Sequence, residues 1–337
     1  MKAKLVHMLL ALALWPSATA LAATLDDVKQ RGVVHCGTAP NIPGYAFTDD
    51  QGNRRGFDID LCRALAAAIF GDASKVKLTP LAPRDAFASL QTGVVDILTH
   101  RFTWTYNRDA GSGLNFTRVM FYDGQGFMVP KRLNVNSVNQ LDGASICLAQ
   151  GTTSELNIAD YFRSRNLKYT IVTFADLDEA RRAYEEGRCD AWSNDLGSLA
   201  ARGLALKNRD DHVILPDAIS KEPIAPMVRQ GDDQWADVAR WTFDALIAAE
   251  ELGITSQNVD QMKASASPEA KRLLGVEDNL GQKNGLSADW AYNAIKQVGN
   301  YAEIFDRHLG PKTRLGMSRG RNALWKDGGL LMAPPFR

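Results

Sequence analysis

Several absences narrow the reading of this 337-residue chain. After residue 23 no apolar run approaches the roughly 18 residues that span a bilayer, so nothing there reads as a transmembrane helix. A membrane receptor's sensor domain would need such a helix. Charge of one sign is also lacking, with 39 basic and 39 acidic residues. The chain therefore has no electrostatic reason to hold nucleic acid or an anionic membrane. Cys-x-x-Cys does not occur, and His35 beside Cys36 is one isolated pair, so neither a metal nor a cofactor is expected. Gly111-Ser112-Gly113 lacks the third glycine of a dinucleotide-binding loop. The few later histidines, His35, His100, His212 and His308, offer no evident partner for a catalytic nucleophile.

What is present begins with a targeting segment over residues 1–23. Lys2 and Lys4 precede the apolar stretch Leu5–Trp15, and Ala20-Leu21-Ala22 supplies small residues for cleavage. No Cys lies near that point, which argues against a lipid anchor. Cleavage would remove two lysines and no acid, leaving a soluble, exported, faintly acidic chain. Four cysteines in an exported protein suggest two disulfides. Of the three connectivities, Cys36–Cys62 with Cys147–Cys189 is favoured, since each pair lies within one half of the chain. Length and an apolar content of 45% allow two domains or one bilobed unit with ample core.

Two halves repeat one plan. The first runs through strand Val33–Cys36, a loop or polar hairpin from Gly37 to Gly56, and a helix capped by Asp58. A strand Val76–Thr79, a helix Pro83–Gln91 and a strand Val94–Leu98 follow. The second runs through Ser145–Leu148, a helix opening at Gly151-Thr152-Thr153, Tyr169–Phe174, a helix Leu177–Glu186 and Cys189–Ser193. Near their ends both halves read helix end, Gly, two residues, Asp, apolar strand: Gly93 with Asp96, and Gly187 with Asp190. Tandem β-α-β-α-β units imply an α/β protein with two parallel-sheet lobes. Tyr122–Val129, with its two glycines, links the halves, and Ser220–Val228 carries the chain back. Helices at Trp235–Glu250 and Ala288–His308 are expected to complete the first lobe. The expected boundaries are 24–123 and 227–337 for lobe 1, 127–221 for lobe 2, and a hinge at about 122–128 and 220–227.

Ligands of open α/β sheets sit at the carboxyl ends of strands. There the chain carries Tyr45 and Ile42, then the stretch Thr99-His100-Arg101-Phe102-Thr103-Trp104-Thr105-Tyr106-Asn107-Arg108-Asp109, then Thr152 and Thr153, then Asp195. Arg108 suits a carboxylate, and the N–H groups of Thr152 and Thr153 open a helix where anions are favoured. Asp195 offers the negative charge a primary ammonium needs, and Tyr45 covers an aliphatic stem. Carboxylate plus ammonium on a small stem is a free α-amino acid. His100 and Arg101 are candidates for the ligand's side chain, Arg101 attracting acids and amides, His100 adding charge below about pH 6.5.

These motifs resemble the periplasmic solute-binding proteins that serve polar amino-acid ABC importers. The resemblance rests on Gly56–Cys62, Thr103-Trp104-Thr105 with Arg108-Asp109, Tyr122–Phe127, Gln150–Thr153, Gly187–Ala191 and Ser220–Pro223. It extends to the tail from Asp289–Asn293 through Ala323-Leu324-Trp325 to Ala333–Arg337. It implies a type II two-lobed fold, each lobe a mostly parallel sheet flanked by helices, with a two-strand hinge. It implies a monomer in the periplasm that hands a free L-amino acid to a membrane permease. In relatives the Arg matching Arg108 holds the α-carboxylate with help from the Thr matching Thr153, and the Asp matching Asp195 holds the ammonium. Relatives often read Ser-Arg-Asn-Thr-Thr-Trp-Thr where this chain has Thr99–Thr105, so the side-chain pocket departs from the pattern. A dehydratase-like enzyme on the same fold is the alternative.

Overall fold

A computed structural model describes residues 23–337, so the expected leader lies, apart from Ala23, outside the described residues. Helix Thr24–Arg31 ends at Gly32, whose φ of 75° is the left-handed conformation that stops helices. Fourteen strands follow in chain order. They are β1 Val34–Thr38, β2 Phe47–Thr48, β3 Arg54–Arg55, β4 Val76–Pro80, β5 Ile97–Thr99, β6 Leu114–Phe116 and β7 Phe121–Asp123. Then come β8 Gln125–Pro130, β9 Ala144–Ala149, β10 Tyr169–Phe174, β11 Ala191–Asp195, β12 His212–Ile214, β13 Glu222–Ile224 and β14 Met227–Arg229.

Two five-stranded sheets organise the chain, in the orders β4-β1-β5-β14-β6 and β10-β9-β11-β8-β12. In each, three strands pair in parallel, the fourth is reversed, and the fifth pairs antiparallel to the fourth and so runs with the first three. β7 and β13 form a separate antiparallel ribbon between the sheets, with Asp123 opposite Glu222. The repeat seen in sequence has a physical cause. Asp96 accepts from the His35 N–H at 2.8 Å and Asp190 from the Ser145 N–H at 2.9 Å. Each aspartate thus ties the approach to its own strand to the start of the neighbouring one.

Several expected elements shift. The strand foreseen at Val94–Leu98 is Ile97–Thr99, because Asp96 is engaged with His35 and Arg31 and Val94 is 56% exposed. Asp58 does not cap its helix: Gly56 occupies that place, where a Cβ would lie 2.1 Å from the Tyr45 carbonyl oxygen. The strand foreseen at Cys189–Ser193 runs from Ala191 to Asp195. The single helix foreseen over Ala288–His308 is two, Trp290–Val298 and Tyr301–His308. Gly299 at φ 97° breaks it, and Asn300 restarts it with a reciprocal capping box to Glu303. Gly126 lies inside β8 rather than in a linker, and a Cβ there would meet Leu196 at 2.2 Å. Close packing, not flexibility, requires that glycine.

Both favoured disulfides form, Cys36–Cys62 and Cys147–Cys189.

Candidate ligand cleft

A cavity of about 240 Å³ opens between the sheets. One wall holds Ile42, Pro83, His100, Arg101, Thr103 and Arg108; the other holds Thr153, Asp176, Asp178, Asn194, Asp195, Ser198 and Arg202. It has room for a small molecule and not for a polymer.

Arg108 rides on the short helix Tyr106–Gly111, whose first turn Thr105 caps by accepting from the Arg108 N–H. Its Nη1 donates to the Thr103 carbonyl at 3.1 Å, and its guanidinium stands 5.3 Å from the Phe102 ring and 5.7 Å from that of Phe87. Those contacts orient it while leaving donors for a ligand. Burial works against its charge; the Glu222 and Asp195 carboxylates work for it.

Asp195 ends β11 and precedes the helix Leu196–Gly203, yet its side chain makes no capping bond. A carboxylate left uncapped at a helix start is available to something else. Burial raises its pKa, and the like charges of Asp123 and Glu222 add to that, against Arg101 and Arg108. An empty cleft therefore favours the protonated acid, and an arriving ammonium would reverse the balance.

Thr152 and Thr153 play separate parts. The Thr152 hydroxyl donates to the Ala149 carbonyl and accepts from the Ser154 N–H, so it shapes the turn into helix Ser154–Ser164. The Thr153 hydroxyl donates to Glu222 Oε2 at 3.2 Å, and the Thr103 hydroxyl, across the cleft, donates to the same oxygen. Both hydroxyl protons, that of Thr153 expected to help hold a ligand carboxylate, are thus committed to Glu222. Among the described residues no hydrogen bond engages the backbone N–H of Thr103 or Thr153. Those two donors stand with Arg108 where an α-carboxylate could be held.

Glu222 is the site residue that sequence reasoning missed. It is 2% exposed and also accepts from Asn157 Nδ2 at 2.7 Å and from the Ser220 hydroxyl at 2.5 Å. It joins the β7–β13 ribbon to both walls. Between Lys221 and Pro223 it reads as a surface charge, and no local pattern signals its burial.

Three expectations need correction. Tyr45 does not face the cleft: it is fully buried, its ring lies 3.8 Å under the Arg101 guanidinium, and its hydroxyl abuts Gly197 of the other wall. Arg101 contributes to the cleft wall, but its guanidinium is packed over Tyr45 and against Asp123. Nη2 is paired with Asp123 at 2.7 Å, Nε and Nη1 are buried without a hydrogen-bond partner, and the side chain is 3% exposed. Three aspartates, Asp123, Asp58 and Asp195, favour its charge, so it serves as an internal counter-ion. Its φ of 61° is a left-handed conformation that Asn tolerates better than Arg. His100 does line the cleft, yet burial lowers its pKa. Its Nε2–H donates to the Leu81 carbonyl at 2.6 Å, and the ring stacks on Phe102. It gains no charge near pH 6.5.

With this geometry described, the relationships to known proteins are decisive. The model of the bacterial extracellular solute-binding proteins, family 3, matches residues 34–258. The chain belongs to that family. The general L-amino acid-binding periplasmic protein AapJ of Rhizobium johnstonii is 52% identical over 95% of each chain. The glutamate/glutamine/aspartate/asparagine-binding protein BztA of Rhodobacter capsulatus is 48% identical over 97% of each. A solved periplasmic binding protein of an ABC transporter from Brucella ovis, with glutathione bound, superposes with a TM-score of 0.92 at 51% identity. It covers 94% of this chain and 100% of that one. The fold is the type II periplasmic-binding-protein fold. These relatives are solute-binding proteins rather than enzymes, and the dehydratase alternative is not favoured. Such relatives are periplasmic, and no described helix is long and apolar enough to cross a membrane.

Proposed function

We propose that this protein captures one free L-amino acid by its α-groups and delivers it to an ABC permease. The α-carboxylate sits on Arg108 and the N–H groups of Thr103 and Thr153. The ammonium sits on Asp195, and Ile42 faces the aliphatic stem in place of Tyr45. The observation that carries this reading is the pairing of an oriented Arg108 on one wall with an uncapped Asp195 on the other, around one small cavity. Arg108 stands on one wall and Asp195 on the other, so a ligand held by both favours the closed arrangement of the lobes.

Residues 24–123 with 227–337 form one moving body and 127–221 the other, turning about the ribbon of β7 and β13. The leader over residues 1–23 is removed on export, and the mature chain acts as a monomer. A γ-glutamyl peptide is a second reading, favoured by the glutathione in the Brucella ovis structure. Its γ-glutamyl end carries the same α-amino and α-carboxyl groups.

Calorimetric titration with a panel of L-amino acids tests the proposal. Binding should be saturable, with the ligand recovered chemically unchanged, and Arg108→Ala or Asp195→Asn should weaken every member of the panel. A loss confined to one side-chain class would move these residues out of the α-group site.

A further inference from the structure

Helix Leu196–Gly203 runs along the cleft from Asp195. Asp195, Ser198 and Arg202 follow the spacing i, i+3, i+7, which is one face of a helix, and all three line the cavity. The α-group reading uses only the first. Arg202 is 5% exposed, where a charged side chain is seldom found without full pairing. Its pairing is incomplete: Nη1 donates to Asp178 Oδ1 at 2.6 Å, while Nε is buried without a partner. The Asp178 side chain is 46% exposed, so that partner stands half in water. Asn194, buried in the same wall, keeps its Nδ2 donor unpaired as well. Across the cleft stands His100, neutral and committed to Leu81. The acids lining the cavity, Asp176, Asp178 and Asp195, all belong to the wall that carries Arg202.

We propose that Arg202, with the Asn194 amide, forms a distal anion subsite that receives a second carboxylate at the far end of the bound amino acid's side chain. The proposal rests on the α-group reading, which puts the ligand's ammonium at Asp195. Seven residues of helix carry the backbone about 10 Å from Asp195 to Arg202, and an arginine on a helix leans back toward the N-terminus. The guanidinium therefore stands nearer Asp195 than its own backbone does. Glutamate spans about 5 Å from its nitrogen to its side-chain carboxyl carbon; aspartate spans less. The subsite thus suits glutamate and longer dicarboxylic ligands over aspartate. Such a carboxylate takes the side-on fork of Nε and Nη2, while Asp178 keeps Nη1 or turns to water. A cationic side chain meets like charge there and is rejected. The selecting role expected of Arg101 passes to Arg202.

The test is calorimetric titration of alanine, glutamate, 2-aminoadipate and lysine into the mature chain, its Arg202→Gln variant and its Asp178→Asn variant. Wild type should prefer glutamate and 2-aminoadipate to alanine and lysine. Arg202→Gln should cut the glutamate-to-alanine affinity ratio on the order of tenfold to a hundredfold, as for a lost hydrogen-bonded charge. Asp178→Asn keeps the guanidinium and removes its competitor, so it should raise the same ratio; it gives a reading even if Arg202→Gln fails to fold. An unchanged ratio in Arg202→Gln, or a lowered one in Asp178→Asn, overturns the proposal. If wild type binds no amino acid at all, the α-group reading fails and this one falls with it. If alanine binds as well as glutamate, the α-group reading stands and the distal subsite does not.

Discussion

The two lobes share a sheet plan and differ in what is packed on it. Lobe 1 carries a large apolar core and a smaller separate cluster around Leu98, Phe102 and Phe116. Trp235 and Phe243 of helix Asp233–Glu251, and Tyr301 and Phe305 of helix Tyr301–His308, close over Phe57, Cys62 and Val34. Lobe 2 divides its core into two small clusters, one around Phe127 and Phe162, the other around Trp192 and Tyr184. The cleft walls differ in the same way. Lobe 1 contributes cations set on aromatic rings, Arg101 over Tyr45 and Arg108 beside Phe102. Lobe 2 contributes helix starts and an uncapped carboxylate. The difference teaches that lobe 1 holds its cations against aromatic rings, while lobe 2 offers main-chain donors and a carboxylate at helix starts.

The largest effect should come from the lobe 1 cation. Arg108→Ala should cost about 2–5 kcal/mol of binding for every amino acid, because a ligand carboxylate is left short of its charged partner; titration calorimetry reads it. If lobe 2's helix starts suffice for the carboxylate, the loss will be far smaller.

Opening the disulfides compares the lobes directly. The Cys147–Cys189 loop spans 42 residues and the Cys36–Cys62 loop 26. Chain entropy alone predicts losses of about 4 and about 3.5 kcal/mol. The smaller core of lobe 2 should widen that gap in chemical unfolding of the double Cys→Ala variants. Equal losses would mean that core size does not matter here.

Glu222→Gln keeps the shape of the hinge carboxylate and removes the charge that Thr103, Thr153, Asn157 and Ser220 all donate to. A loss of about 1–3 kcal/mol of stability is expected, measured by thermal unfolding without ligand. An unchanged midpoint would make Glu222 a spectator.

The smallest effect is a proton. Burial and neighbouring acids raise the Asp195 pKa in the empty cleft, so a ligand ammonium should expel the proton. The sign follows: binding releases protons, so affinity rises with pH from the usual carboxylate range up to the raised pKa. Titrations in buffers of different ionisation enthalpy should show this release in wild type and none in Asp195→Asn.

Much of this was legible beforehand because it depends on short-range pattern. Strand β10 falls on Tyr169–Phe174 as its β-branched and aromatic run requires, and helix Pro83–Gln91 starts where proline is favoured and stops before Gly93. The matched Gly93 with Asp96 and Gly187 with Asp190 announced two equivalent lobes, and the aspartates do equivalent work. Arg108, Thr153 and Asp195 line the cavity because each lies at or past a strand end, where connectivity alone delivers it to the rim. Tyr45 and Arg101 follow strand ends too, but their side chains turn into the contact between lobes. Only the three-dimensional neighbours Asp123, Gly197 and Asp58 account for that.

By itself, then, the sequence determined the α/β repeat and the strand ends that carry Arg108, Thr153 and Asp195, which follow from periodicity, turn chemistry and chain order, and it favoured the pairing of cysteines within halves. Tertiary structure alone decided which arriving charge is available. Arg101 is neutralised by an aspartate 22 positions away, Glu222 is buried beneath hydroxyls 69 and 119 positions away, and Arg202 is left with an unfilled donor beside Asp178. A charged side chain's role depends on its desolvation and on partners brought together by folding, and neither is written in its neighbours along the chain.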